Sequence, residues 1–237
     1  MIQFDSMVVN GDSYSAASAD IGRVYSDYLR EYFSVPVHNY AVPGSSNDRI
    51  FRSTIEYVNQ HLENSHRPLV IVGLSFIRRI EVWYYGNREI TVPDSSQSPN
   101  SRLVTLDFLL NEKNASADQK SMVPPDLEVH KKLTDFYTNV YLLSNWLEKL
   151  QLPYLFFSAA RNTDCPPHCF PYVDALSTTQ WCKNNPRIYN LHDFCIMNWA
   201  LENDPQANAT TGHLSGQGHE KFSKVLKNIL EDLNETI

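Results

Sequence analysis

The chain has 237 residues, 42% of them hydrophobic and 20% charged, which is enough apolar material for a sizeable core. Its 20 basic and 27 acidic side chains leave a formal charge of -7, which argues against a nucleic-acid or anionic-membrane binder. No apolar run approaches a membrane span, and Met1-Ile2-Gln3-Phe4-Asp5 lacks the basic and apolar regions of a secretory signal, so a cytoplasmic, globular protein with reduced thiols is expected.

Met7 to Asn10 reads as a first strand, with Val8 and Val9 β-branched and Gly11 as the breaker. Asp12 and Ser13 then fall at the strand's carboxyl end, the usual ligand edge of an open α/β sheet. From Gly22, Tyr25, Tyr28, Leu29, Tyr32 and Phe33 recur at helical spacing until Pro36 ends the run. Val35 to Ala41 is predicted as a second strand, broken by Pro43-Gly44. Ser45-Ser46-Asn47-Asp48 supplies cap chemistry for a helix whose face is Phe51, Ile55, Val58 and Leu62. Leu69 to Leu74 is a near-continuous apolar run, as expected of a central parallel strand buried on both faces. Asp48 and Arg49 read as cap and surface residues, and Arg78, Arg79 and Glu81 as an ion-pair network near the sheet's edge.

Periodicity fades from about Tyr84 to Pro125, a polar stretch too long for an ordinary connection and read as an insertion or lid. Within it, Arg88 to Val92 is the candidate hairpin strand. Trp83, Tyr84 and Tyr85 lie just before it, where aromatic faces suit sugar rings or acyl groups. Regularity returns with Leu127, Leu133, Phe136, Tyr137, Val140, Tyr141, Leu147 and Leu150 in one long amphipathic helix. Tyr154 to Phe157 reads as a fourth strand and Ile188 to Leu191 as a fifth. A last helix carries Phe222, Val225, Leu226, Ile229, Leu230 and Leu233 on one face. Strands alternating with helices imply one α/β domain over 1–237, a three-layer α/β/α structure with a roughly five-stranded parallel sheet of flavodoxin-like topology.

Four cysteines stand at 165, 169, 182 and 195. Cys165-Pro166-Pro167-His168-Cys169 is looser than the paired spacing of structural zinc sites, so buried or loop thiols are expected and no metal.

Chemistry is suggested by two distant pieces. Gly11-Asp12-Ser13 follows the first strand, and Gly212-His213-Leu214-Ser215-Gly216-Gln217-Gly218-His219 precedes the last helix. A serine nucleophile needs a base, and histidine alone has an unperturbed pKa suited to proton shuttling near neutrality. In order and spacing across nearly the whole chain, these pieces resemble the SGNH (GDSL-type) hydrolases. The version Pro43-Gly44-Ser45-Ser46-Asn47-Asp48-Arg49-Ile50, with Gly73-Leu74-Ser75 and a downstream Arg79-x-Glu81, looks like divergent members carried by tailed phages and marine bacteria.

The resemblance implies Ser13 as nucleophile, His213 as base, and His219 as a structural residue at the helix start. It implies an oxyanion hole from the Ser13 and Gly44 backbone N–H groups together with a side-chain amide. Two positions depart from the pattern. Ser75 stands where the family's third-strand asparagine is expected, and Asn47 is either its replacement or a helix cap. Thr210 occupies the position of the aspartate that orients the histidine, so a backbone carbonyl there is the alternative support; Asp204 is near in sequence only. The expectation is a serine esterase needing no cofactor, acting on a small-molecule or glycan O-acyl ester. An acyltransferase on the same scaffold and a non-catalytic binding module remain the rivals.

Overall fold

The computed structural model describes residues 3–17, 22–77, 79–84, 102–107, 129–159, 175–189, 191, 194–208 and 212–235; for 80–84, 102–107, 129–130 and 234–235 it describes the backbone alone. In chain order the elements are β1 (Ser6–Asn10), α1 (Tyr25–Phe33), β2 (Val37–Asn39), α2 (Asn47–Glu63), β3 (Pro68–Leu74), β4 (Arg79–Tyr84), β5 (Arg102–Asp107), α3 (Val129–Lys149), β6 (Tyr154–Ser158), α4 (Ser177–Asn184), β7 (Ile188–Tyr189), α5 (Ile196–Asn203) and α6 (Gly216–Glu235).

Five strands form one parallel sheet in the order β2-β1-β3-β6-β7. This is the flavodoxin-like order, in which the chain winds outward in both directions from β1 and β3. Although the central strands are apolar on both sides, their residues still alternate with period two. Val8, Val70, Val72, Tyr154 and Phe156 pack on one face against Ile50 and Val58 of α2, Leu133, Val140 and Leu147 of α3, and Cys182 of α4. Met7, Val9, Leu69, Ile71, Leu155 and Phe157 pack on the other against Tyr25 and Leu29 of α1, Ile196 and Ala200 of α5, and Phe222 and Leu226 of α6. The result is the expected three-layer α/β/α architecture.

Several local expectations change. On α2, Ile55 is 40% exposed, while Ser53 and Thr54 are buried. The buried Asn10 side chain explains the exchange: its amide donates to Ile50 O at 3.2 Å, Ser53 Oγ at 2.9 Å and Thr54 Oγ1 at 2.9 Å. A polar seam bolts α2 to β1 where a hydrophobic pattern predicts a leucine-like contact. Arg49 is buried rather than superficial, donating to Ser45 Oγ at 3.1 Å. The helix cap is Ser46, whose hydroxyl accepts from Arg49 N–H at 3.2 Å. Within the 84–125 stretch, 102–107 form β5, antiparallel to β4. The hairpin strand expected at Arg88 to Val92 lies outside the described residues. The eight-residue helices α4 and α5 were not anticipated; their N-caps are Leu176, with no side-chain cap, and Cys195, whose thiol accepts weakly from Asn198 N–H at 3.4 Å. Cys182 and Cys195 are buried, and burial pushes the Cys182 thiol up to about 12. Cys165 and Cys169 lie outside the described residues. Among the described residues, no helix is long and apolar enough to cross a membrane.

Candidate active site

Chain winding reverses between β1 and β3, and open α/β sheets bind ligands at the strands' carboxyl ends beside such a point. Ser13 sits there, in the turn that follows β1. Two backbone bonds close this turn, Ser15 N–H and Ala16 N–H each donating to Asp12 O at 3.0 Å. Ser15 anchors it to the helix layer: Tyr25 Oη–H donates to Ser15 Oγ at 2.9 Å and the Asn39 amide to Ser15 O at 2.8 Å. The turn that presents the serine is therefore held by buried hydrogen bonds from α1 and β2.

His213 arrives from 200 residues away. Its Nε2 lies 2.8 Å from Ser13 Oγ. With the hydroxyl donating, the imidazole is the Nδ1–H tautomer and its Nε2 lone pair is the acceptor. The loop carrying it folds on itself, Asn208 N–H donating to His213 O at 3.0 Å and Gly212 N–H to Asn208 O at 2.7 Å. Beneath the imidazole, the Tyr14 ring stacks at 4.4 Å between centroids and 12° between planes. Burial holds His213 below the usual histidine pKa; Asp12 pulls it upward and Arg79 pushes it down. The imidazole is thus neutral near pH 7, with Nε2 able to accept a proton.

Asp12, with no exposed surface, is the charged centre of the site. Its Oδ2 accepts from Ser75 Oγ–H at 2.6 Å and from Arg79 Nη1 at 3.1 Å, while Oδ1 accepts from Tyr14 N–H at 3.1 Å. Arg79 also donates to Ser75 Oγ at 2.9 Å and lies over the Phe76 ring at 4.7 Å. The expected edge network of Arg79 is therefore a part-buried ion pair with Asp12, the residue beside the serine. Arg78 and the side chain of Glu81 lie outside the description, as do the side chains of Trp83 and Tyr84 and all of Tyr85.

Ser75 and Asn47 do not play the expected part. The Ser75 hydroxyl gives its single proton to Asp12. The Asn47 amide donates to Ser75 O at 2.9 Å and Phe76 O at 3.5 Å, and its oxygen accepts from Ser75 N–H at 2.8 Å. Asn47 is thus neither cap nor spare donor; it shapes the β3–β4 loop so that Ser75 meets Asp12. Gly44 sits in the β2–α2 loop with φ 81°, a left-handed conformation that glycine adopts without strain. Thr210 lies outside the described residues.

Asp204 is buried at the end of α5, and its partners lie in the connection leading to α6. Oδ2 accepts from Ser215 N–H at 2.7 Å, and Oδ1 accepts from Ser215 Oγ at 2.9 Å and Gln206 N–H at 3.1 Å. It braces the helix start two residues beyond His213. His219, in the first turn of α6, is buried and accepts from Tyr25 N–H at 3.3 Å through Nδ1. Among the described residues, no group of three or more His, Cys, Asp or Glu side chains could hold a metal ion.

Tyr14 is the site residue that sequence reasoning missed, along with the identity of Arg79's partner. Tyr14 could have been found by adjacency to Ser13. Arg79 reads from the sequence as an ion-pair residue at the sheet's edge, but that its partner is Asp12 depends on where β3 ends in space.

A model of a family of unknown function (DUF6071) matches residues 24–173. The chain belongs to this family. The matched segment contains Gly44, Asn47, Ser75 and Arg79, whereas Ser13 and His213 flank it. No curated protein matches the chain. In three dimensions the chain is similar to the psychrotrophic esterase EstA from Pseudoalteromonas sp., in a structure inhibited by monoethylphosphonate, with 10% identity, a TM-score of 0.52, and coverage of 98% of this chain and 99% of that one. It is also similar to a G-D-S-L family protein from Desulfitobacterium hafniense DCB-2 (9% identity, TM-score 0.49, 95% and 99% coverage) and to a mutant of esterase AlinE4 (11%, 0.42, 98% and 97%). The fold is that of the SGNH hydrolases, in a divergent version.

Proposed function

We propose that this family member is a serine esterase that hydrolyses a short O-acyl ester, on a carbohydrate or other small alcohol. The observation that carries the reading is the 2.8 Å approach of His213 Nε2 to Ser13 Oγ at the sheet's switch point. Ser13 Oγ attacks the ester carbonyl carbon while its proton passes to His213 Nε2. The carbonyl oxygen becomes an oxyanion, received by the backbone N–H groups of Ser13 and Gly44. Collapse breaks the bond to the alcohol oxygen, which takes the proton from the imidazolium and leaves. Water, losing a proton to His213, then attacks the acyl-Ser13 carbonyl, and the acid departs as the proton returns to Ser13.

Burial of Asp12 with Arg79 supports this reading, because it fixes the turn carrying Ser13 without placing a carboxylate in the nucleophile's path. The test uses a fluorophosphonate probe on the parent chain, Ser13→Ala and His213→Ala, beside a panel of acetyl and butyryl esters. We expect a phosphonyl adduct on Ser13 of the parent and turnover abolished in both variants. Equal turnover in Ser13→Ala and parent, or a folded parent neither labelled nor active on any ester, would refute it.

A further inference from the structure

A serine–histidine pair needs a third group that fixes the imidazole and stabilises it once protonated. Asp204, the buried carboxylate nearest to His213 in sequence, is occupied by Ser215 and Gln206. An aromatic face, that of Tyr14, lies against the His213 imidazole. We propose that Tyr14 is the positioning residue of the base: its ring holds the His213 imidazole against Ser13 and stabilises the imidazolium through its π-face. The inference rests on reading Ser13 and His213 as nucleophile and base.

Three observations carry it. The two rings are nearly parallel, 12° apart with centroids at 4.4 Å, well inside the range at which a cation gains from an aromatic face. A flat stack does not compete with in-plane hydrogen bonds, so Nε2 faces Ser13 Oγ at 2.8 Å while the ring is held. Tyr14 itself is immobilised: it is 3% exposed, packs in the core layer with Leu214 and Ile196, and its N–H is tied to Asp12 Oδ1 at 3.1 Å. The residue that follows the nucleophile in the chain thereby reaches back under the base. Twisting the imidazole would break both the stack and the contact with Ser13.

The surrounding charges are known. Asp12 favours the imidazolium and Arg79 disfavours it, while burial is the largest influence and opposes it. Tyr14 stays a neutral phenol, since burial and Asp12 raise its pKa far above the usual value; Cys195 adds to that rise and Arg79 opposes it. His219 on α6, kept neutral by burial with Asp204 opposing, adds no positive charge near neutrality.

The imidazole of His213 is titrated by NMR in the parent, Tyr14→Phe and Tyr14→Leu, and kcat and KM are followed against pH. Tyr14→Phe keeps the face and is expected to titrate within about 0.3 pH units of the parent. Tyr14→Leu is expected to titrate about one pH unit lower, with kcat down about tenfold and KM unchanged. Should Tyr14→Leu fail to fold, progressively fluorinated phenylalanines at position 14 keep the shape while draining the π-face, and the His213 pKa is expected to fall with each fluorine. A His213 that titrates at or above the parent value in Tyr14→Leu, or does not respond to fluorination, overturns the proposal. The titration needs no substrate. If no ester is turned over yet the imidazole responds as expected, the esterase reading falls and the stacking role stands.

Discussion

The start of α6 offers a test in which two physical effects have opposite signs. Gly218 lies in the first turn of the helix, where alanine alone would improve helix propensity by about 1 kcal/mol. In this structure, however, a Cβ at Gly218 would land on Asp204 Oδ2, with Asp204 Cγ at 2.6 Å and Leu214 Cδ2 at 3.0 Å. Asp204 cannot yield cheaply, because its carboxylate holds Ser215 N–H, Ser215 Oγ and Gln206 N–H. Overpacking of this kind costs about 1–3 kcal/mol, and loosening even one hydrogen bond to a charged group adds about 1.5–3 kcal/mol. Net of the propensity gain, Gly218→Ala should destabilise the protein by about 1.5–5 kcal/mol, lowering Tm by roughly 10 °C. Urea and thermal unfolding measure this directly. Asp204→Ala removes the obstruction, so in that background Gly218→Ala should be neutral or stabilising by up to about 1 kcal/mol. A rise in Tm in the parent, or the same effect in both backgrounds, would refute the account of Asp204 as the brace of the histidine loop.

Burial depresses the His219 pKa from 6.5 to about 4, with Asp204 opposing. The unfolded chain binds this proton below about 6.5 and the native protein only below about 4, so stability is full above pH 6.5 and falls towards pH 4 by roughly 3 kcal/mol. The difference in unfolding free energy between parent and His219→Gln should trace that fall; parallel pH profiles would contradict it. Asp12→Asn leaves the Arg79 guanidinium beside Ser75 without its carboxylate partner and should cost about 3 kcal/mol, by denaturant unfolding. Adding Arg79→Gln should recover much of that loss, and a double variant no more stable than Asp12→Asn would show that the pair does not act as a unit.

Period and punctuation made most of the fold legible. Pro68–Leu74 is apolar throughout, so it reads as a central strand, and the faces of α3 and α6 follow the 3.6-residue repeat. Hydrophobicity fails where burial is polar: Ile55 looks like core and is exposed, because Asn10 draws Ser53 and Thr54 inward instead. The short helices α4 and α5 lack hydroxyl or carboxylate caps and span too few turns to declare themselves.

At the candidate site the same division holds. Sequence order alone suggests Ser13 and His213, because a Gly-Asp-Ser turn after a strand and a histidine before a helix are local features with chemical meaning. Local features say nothing about what surrounds them. That Asn47 shapes the β3–β4 loop, that Arg79 pairs with Asp12, that Asp204 braces the start of α6, and that Tyr14 lies beneath His213 all depend on residues tens to hundreds of positions apart or on the direction a side chain takes. Residue type and spacing determined which groups the chain carries and where along the sheet they emerge. Their partners were decided only by tertiary packing, since hydrogen bonds, ion pairs and ring stacks act over a few ångströms and chain separation carries no information at that range.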